Sequence, residues 1–253
     1  MAFEVEADAY SAFMGRYSEP LADLFVQWAA VGPGRHALDV GCGPGALTAR
    51  LVERLGAARV IAVDPSASFV VAARRRCPGV VVHQAAAERL PLPDGSVDAA
   101  LAQLVVHFMT DPVAGLAEMG RVTRSGGMVA ASVWDFAGGG DPLATFWSAV
   151  RDLDPAAEDE SGLPGTGEGH LVELFVAAGL DAVEPGKLTV TVPYASFDEW
   201  WHPYTLGVGP AGDYVATLEP PARDALEAHC RERLPDGPFE IHAAAWAARA
   251  RAT

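Results

Sequence analysis

The sequence predicts an α/β protein built around a doubly wound parallel sheet. Between residues 36 and 136 five apolar runs alternate with amphipathic helical stretches, the order that βαβ units produce. The runs are apolar almost without interruption, as strands are when helices cover both faces of their sheet. The first run leads into three glycines within five residues, Gly41, Gly43 and Gly45. Such a stretch lets backbone turn sharply at the sheet edge where these folds bind ligands. A chain of 253 residues suits one large domain with a small cap, so residues 1–253 are read as a single domain.

Two helical stretches open the chain, "ADAYSAFMGRY" and "PLADLFVQWAAV"; the second sets Leu21, Leu24, Phe25, Trp28 and Val31 on one face. "HALDVG" is the first strand, and "GALTARLVERLGA" a helix that Gly56 ends. "RVIAVD" is the second strand. "SASFVVAARRRC" is a helix stopped at Pro78-Gly79, and "VVVHQ" is the third strand. After the turn-rich "LPLPDGS", "VDAALAQLVV" is the fourth strand, "DPVAGLAEMGRVT" a helix begun by Asp-Pro, and "GGMVAASVWDF" the fifth strand. The rest is less regular. Residues 137–169 are rich in Gly, Pro and acidic side chains, with a helix around 142–153, and "GHLVELFVAAGL" is helical. "KLTVTVPY" alternates as an antiparallel strand does, residues 196–234 hold two or three helices, and "PFEIHAAAWAARA" is the last strand.

The formal net charge of −15 repels phosphate backbones and argues against a nucleic-acid partner, including transfer RNA. Three scattered cysteines, Cys42, Cys77 and Cys230, fit neither a disulfide framework nor a zinc site, so no metal is expected. The first twenty residues carry early acidic groups and no long apolar run, and no 18-residue uncharged apolar stretch occurs. The expectation is a cytoplasmic protein without a membrane partner. Oligomeric state stays open.

Asp39 sits inside the first apolar strand, where a carboxylate is costly unless something binds it. Strand two ends in Asp64, 19 residues after Gly45, placed to accept ribose hydroxyls from a nucleoside cofactor. "GCGPGA" loosely matches a dinucleotide fingerprint, which keeps a nicotinamide dehydrogenase in play. Asp39 weighs against it: a pyrophosphate on the helix N-terminus is repelled by that carboxylate, whereas a cofactor with an ammonium and a sulfonium is attracted. Asp64 alone also suits a helix N-cap, a role Ser66 can fill instead.

The motifs "LDVGCGPG", "VIAVDPS", "AAAERLPLPDGSVDAAL" and "RVTRSGGMVAAS" resemble, in order and spacing over about residues 36–136, those of class I (seven-strand) S-adenosylmethionine-dependent methyltransferases. The resemblance is nearest to the small-molecule branch that contains ubiquinone and menaquinone C-methyltransferases. It implies a Rossmann-like sheet of strand order 3-2-1-4-5-7-6, with strand seven antiparallel, strand six near 188–193 and strand seven near 239–247. It also implies that residues 1–33 and 194–236 form a helical substrate cap. Asp39, with the backbone of Gly41 and Gly43, would hold the methionine end of the cofactor, with Cys42 and Gly45 in the same cofactor-binding turn; Asp64 would grip the ribose hydroxyls, and Pro65 would border the adenine. Ala86-Ala87-Glu88 stands where the family often has an acidic pair for the adenine edge, so Ala87 and Glu88 become the candidates there. Gln103 would lie under the cofactor and Tyr17 over its methionine end.

The implied reaction is in-line methyl transfer to an oxygen, nitrogen or carbon of a small molecule, giving S-adenosylhomocysteine. A cofactor-binding protein that transfers nothing, or an isomerase or cyclase on the same fold, is the alternative. His107, just beyond the fourth strand, is the candidate base, with a packing role as its competitor; His202 is a second candidate. Tyr10, Phe13, Trp134, Trp200, Trp201 and Tyr204 are candidate walls of an apolar substrate pocket, the competing role being the cap's own core. Cys42 reads as a small filler rather than a nucleophile.

Overall fold

The computed structural model describes residues 13–253. Its centre is one seven-stranded sheet of order β3-β2-β1-β4-β5-β7-β6. The strands are β1 (Ala37–Val40), β2 (Val60–Asp64), β3 (Val81–Gln84), β4 (Val97–Gln103), β5 (Thr123–Trp134), β6 (Glu184–Tyr194) and β7 (Phe239–Arg251). The first five pair in parallel. β7 runs antiparallel to both neighbours, Ser132 facing Ala247 on one side and Val190 facing Ala243 on the other. β6 and β7 run past the expected 188–193 and 239–247, because each completes its ladder against the other from Glu184–Arg249 to Tyr194–Phe239.

Helices cover both faces. α1 (Gly15–Trp28), α2 (Ala46–Leu55) and α3 (Ala67–Arg76) lie on one; α4 (Pro112–Val122) and α6 (His170–Ala177) lie on the other, and α5 (Ala144–Leu153) joins the cap. Alternation along β1 sorts its side chains. Leu38 and Val40 pack with Leu116, Met119 and Phe175, while Ala37 packs with Phe25 and Leu51. Asp39 shares the parity of Ala37 and so faces α2. Local signals set the helix starts. The Asp111 side chain accepts from Ala114 N at 2.9 Å ahead of Pro112, and Ser66 caps α3 by accepting from Phe69 N.

Two expectations needed revision. The "PLADLFVQWAAV" helix is entered earlier, at Gly15, and α1 runs straight through Pro20. A proline there removes only the bond to the Arg16 carbonyl, and the buried series Tyr17, Leu21, Phe25 with Ser18, Ala22, Val26 keeps one stripe on the sheet. Strand five starts at Thr123 rather than at the glycines, where its register against β4 shifts.

Over the carboxyl end of the sheet sits an aromatic cap built with α7 (Phe197–Trp201), α8 (Gly209–Thr217) and α9 (Pro220–Arg231). Phe146 stacks on Tyr204 at 4.5 Å, Trp200 meets Tyr204 at 4.8 Å, and the Tyr17 and Tyr194 hydroxyls are 2.7 Å apart. Each such ring pair contributes about 0.5–1.5 kcal/mol beyond the area it buries. Among the described residues no helix is long and apolar enough to cross a membrane.

Candidate active site

A cavity of about 710 Å³ opens at the carboxyl ends of β1, β2 and β4, within the roughly 300–1,000 Å³ typical of small-molecule sites. Its floor is the turn from β1 into α2. Gly41, Gly43 and Gly45 all have positive φ, at +70°, +53° and +94°. At Gly41 a side chain is excluded twice over, by that backbone and by Val105, whose Cγ2 would lie 2.3 Å from an added Cβ. At Gly43 an added Cβ meets nothing within 4 Å: it would stand in the open space a ligand needs. Gly45 lines no part of the cavity. It is the N-cap of α2, packed near Ala73, and closes the turn from behind.

Asp39 is 1% exposed and lines the cavity. Its Oδ2 accepts from Thr48 Oγ1 at 2.5 Å, one turn into α2, while its Oδ1 is buried with no partner. Burial pushes its pKa up to about 7; the Thr48 hydroxyl and backbone N–H pull it down and the nearby Asp64 raises it. An unpartnered carboxylate oxygen in a cavity calls for a donor, and a cation serves best, since it also offsets the desolvation. Asp64 Oδ2 accepts from Gly43 N and its Oδ1 from Ser66 N, both at 2.8 Å. The carboxylate therefore ties the glycine turn to the end of β2. Burial raises its pKa, against those two amides.

The other predicted residues divide. Cys42, Pro65, Ala87, Glu88 and Gln103 line this cavity. Burial pushes the Cys42 thiol well above its ordinary value, as suits a filler. Glu88 Oε1 accepts from Thr110 N at 2.8 Å and Asp111 N at 3.2 Å, so it braces the loop into α4 as well as facing the cavity. Gln103 Nε2 donates to the Ser18 carbonyl at 2.9 Å, and its Oε1 is buried without a partner. Tyr17 does not line the cavity. One residue short of Ser18 on α1, it turns toward the cap, bonded to Tyr194 and edge-on to Trp134, whereas Gly15, Ser18 and Glu19 face the space. Glu19 and Arg76, both lining the cavity, form an ion pair at 2.6 Å that the sequence does not reveal.

A second cavity, of about 40 Å³, lies beside the first, sharing Leu104 and Phe108 as walls. Leu104 holds a φ of +59°, a backbone state costing about 1–2 kcal/mol outside glycine. Phe13, Trp134 and His107 line this smaller space. His107 sits in a one-turn 3-10 helix, its ring 3.9 Å from that of Phe108, with Nδ1 buried and unpartnered. Burial lowers its pKa to about 3, so it is neutral at physiological pH and holds a proton poorly. His107 therefore lines the small cavity rather than the large one, with a ring whose lowered pKa makes it a weak base and whose surroundings suit the packing role weighed beside it. Trp200, Trp201 and Tyr204 line neither cavity; they are core of the cap. His202 heads the 3-10 turn after α7, outside both linings. Tyr10 lies outside the described residues. Sequence reading missed Glu160, which lines the small cavity from the irregular 137–169 stretch, where no periodicity points to it. Among the described residues no group of three or more His, Cys, Asp or Glu is placed to hold a metal ion.

Comparison with known proteins places residues 38–131 on a family model described as a methyltransferase domain. A malonyl-acyl-carrier-protein O-methyltransferase of Serratia marcescens is 34% identical over 57% of this chain and 58% of its own length. A trans-aconitate 2-methyltransferase of Methylobacterium nodulans is 32% identical over 51% of this chain and 50% of its own. This chain thus spans about half the length of these curated relatives. Among solved structures, the (4+2)-cyclase SpnF superposes with a TM-score of 0.56 at 20% identity, over 92% of this chain and 80% of that one, a likeness of fold.

Proposed function

We propose that this chain, through its methyltransferase domain, carries a methyl group from S-adenosylmethionine to a small-molecule acceptor. The observation that carries the reading is the unpartnered Oδ1 of Asp39 in a cavity that Asp64 and Glu88 also line and left-handed glycines floor. A cationic amino-acid ammonium satisfies that oxygen; a pyrophosphate would oppose it. The match of residues 38–131 to a methyltransferase domain supports the same conclusion independently.

When bound, S-adenosylmethionine supplies an electrophilic methyl group on a sulfonium sulfur, so the protein's part is binding, orientation and exclusion of water. Asp39 would hold the ammonium, with the open backbone at Gly43 giving room beside it. Asp64 would accept from the ribose hydroxyls, exchanging one of its present backbone donors. Pro65 and Ala87 would border the adenine. Gln103 Oε1, still unpartnered, offers a further acceptor under the ligand. The Glu19–Arg76 ion pair forms part of the cavity wall, and the aromatic cap with α1 roofs the sheet edge. Fixing an acceptor within ~3–3.5 Å of a reacting carbon can contribute ~7–11 kcal/mol without any strong base, which fits a site whose histidine is neutral.

The acceptor is a small molecule in this reading, the charge of −15 disfavouring nucleic acid. The ubiquinone-type C-methyltransferase branch is one reading of the acceptor; acceptors like those of the malonyl-acyl-carrier-protein O-methyltransferase and the trans-aconitate 2-methyltransferase named above are another. Incubation with methyl-labelled S-adenosylmethionine and acceptor panels of phenols, amines, carboxylic acids and activated carbon acids tests it. Labelled acceptor with equimolar S-adenosylhomocysteine is expected. Tight cofactor binding with no label transferred to any panel would favour a repurposed, non-methylating protein.

A further inference from the structure

Building on the methyl-transfer reading, we propose that the small cavity is the acceptor's head-group subsite. It takes an amino group carried on an apolar frame, with Glu160 accepting hydrogen from the nitrogen. Glu160 is 3% exposed, His107 5% and Trp134 1%. All three line the cavity, and Glu160 Oε2, His107 Nδ1 and Trp134 Nε1 are each buried without a hydrogen bond of good geometry among the described residues; the Trp147 indole, likewise without one, is the side-chain donor acting on the Glu160 carboxyl. Buried polar atoms are ordinarily paired, so three unpaired around one space point to a ligand with a polar end. The volume of about 40 Å³ admits a water-sized group and no more. The head of a molecule fits it, not the whole.

The sign of the charge selects the head. No Lys or Arg lines the cavity among the described residues, and the rest of the lining is apolar, with Phe13, Leu143 and Ala211 as examples. A carboxylate there would face Glu160 with no counter-ion. Asp141 and Asp159 act on Glu160 with the same sign and deepen that negative field. A protonated amine offsets it, offers a further N–H to the neutral His107 ring, and lies against the Trp134 and Phe136 rings, whose faces attract cations. The shared walls, Leu104 and Phe108, put this head group one side-chain layer from the large cavity.

Phenethylamine, 2-phenylethanol and phenylacetate share a ring and differ in head group, so calorimetric titration of each, with and without S-adenosylhomocysteine, tests the assignment. Phenethylamine is expected to bind at least about tenfold tighter than the alcohol, as a hydrogen bond to a charged group does, and phenylacetate weakest. Glu160→Gln should bring the amine to within about twofold of the alcohol while leaving the Kd for S-adenosylhomocysteine unchanged. That unchanged Kd also certifies the variant's fold. Glu160→Leu should lose the amine preference too, without loss of thermal stability. Phenylacetate matching the amine, an amine preference surviving in Glu160→Gln, or no binding of any probe to the wild type overturns the proposal. Absent S-adenosylhomocysteine binding with the amine preference intact would overturn the methyl-transfer reading instead and leave the subsite standing.

Discussion

Replacing Asp39 with Asn should move ligand affinity and intrinsic stability in different directions. In the unliganded protein the carboxyl is almost fully buried with one oxygen unpaired, and its pKa is pushed up to about 7. Ionising it at pH 8 therefore costs on the order of 3–4 kcal/mol relative to an unfolded aspartate. Asn removes that cost and can keep the Thr48 bond through its carbonyl, but it buries an amide donor pair worth about 1–3 kcal/mol in lost hydration. The two terms nearly offset, so thermal unfolding at pH 8 should show the variant at least as stable as the wild type. Affinity behaves otherwise. A charge-assisted hydrogen bond to the ligand ammonium contributes about 1.5–3 kcal/mol, so calorimetry should find Asp39→Asn binding S-adenosylhomocysteine roughly 10- to 150-fold more weakly. The wild type must also release the Asp39 proton to bind, so its affinity should improve about tenfold from pH 6 to pH 8, and most of that slope should vanish in the variant. Equal affinities, or the same pH slope in both proteins, would refute the assignment of Asp39 to the ammonium.

Asp64→Ala should weaken S-adenosylhomocysteine binding more than Glu88→Ala does, because both Asp64 oxygens organise the cavity floor while Glu88 chiefly braces the loop into α4; equal losses by calorimetry would overturn the ribose assignment. Gly41→Ala should cost about 2–5 kcal/mol in chemical denaturation, from left-handed backbone plus the clash with Val105. Gly43→Ala, with nothing near its Cβ, should cost only the backbone share yet reduce ligand affinity more than it reduces stability; the reverse ranking would contradict the cavity geometry. Asp39, Asp141 and Glu160 all have carboxyls pushed up to about 7 by burial. His107, lowered to about 3, works in the opposite sense between about pH 3 and 6.5, but three raised carboxyls outweigh one histidine, so the folded chain still binds more protons than the unfolded one between roughly pH 4 and 7, and unliganded stability should fall as pH rises through that window and level off above it. A Tm higher at pH 8 than at pH 5 would contradict this.

The half of the fold that carries the cavity is legible in the sequence because its determinants are local. Strand parity alone sends Asp39 toward α2, Asp111-Pro112 starts α4 where expected, and Ser66 takes the cap, which frees Asp64 for the glycine turn. What escaped reading depends on distant packing. Tyr17 and Ser18 are one residue apart, yet 100° of helix turns one to the cap and the other to the cavity. Trp200, Trp201 and Tyr204 form the cluster the sequence suggests, but they spend their area on Phe146 and Phe197 rather than on a pocket. Glu160 comes from a stretch with no periodicity, and only the fold brings it beside His107.

The central claim is that the Asp39 carboxylate and the glycine turn select a cationic, phosphate-free nucleoside. Competition calorimetry with S-adenosylmethionine and NAD on the same preparation tests it most directly. The account predicts saturable one-to-one binding of S-adenosylmethionine that excess NAD does not displace. Binding of NAD in that cavity, or heat from neither compound, would contradict it.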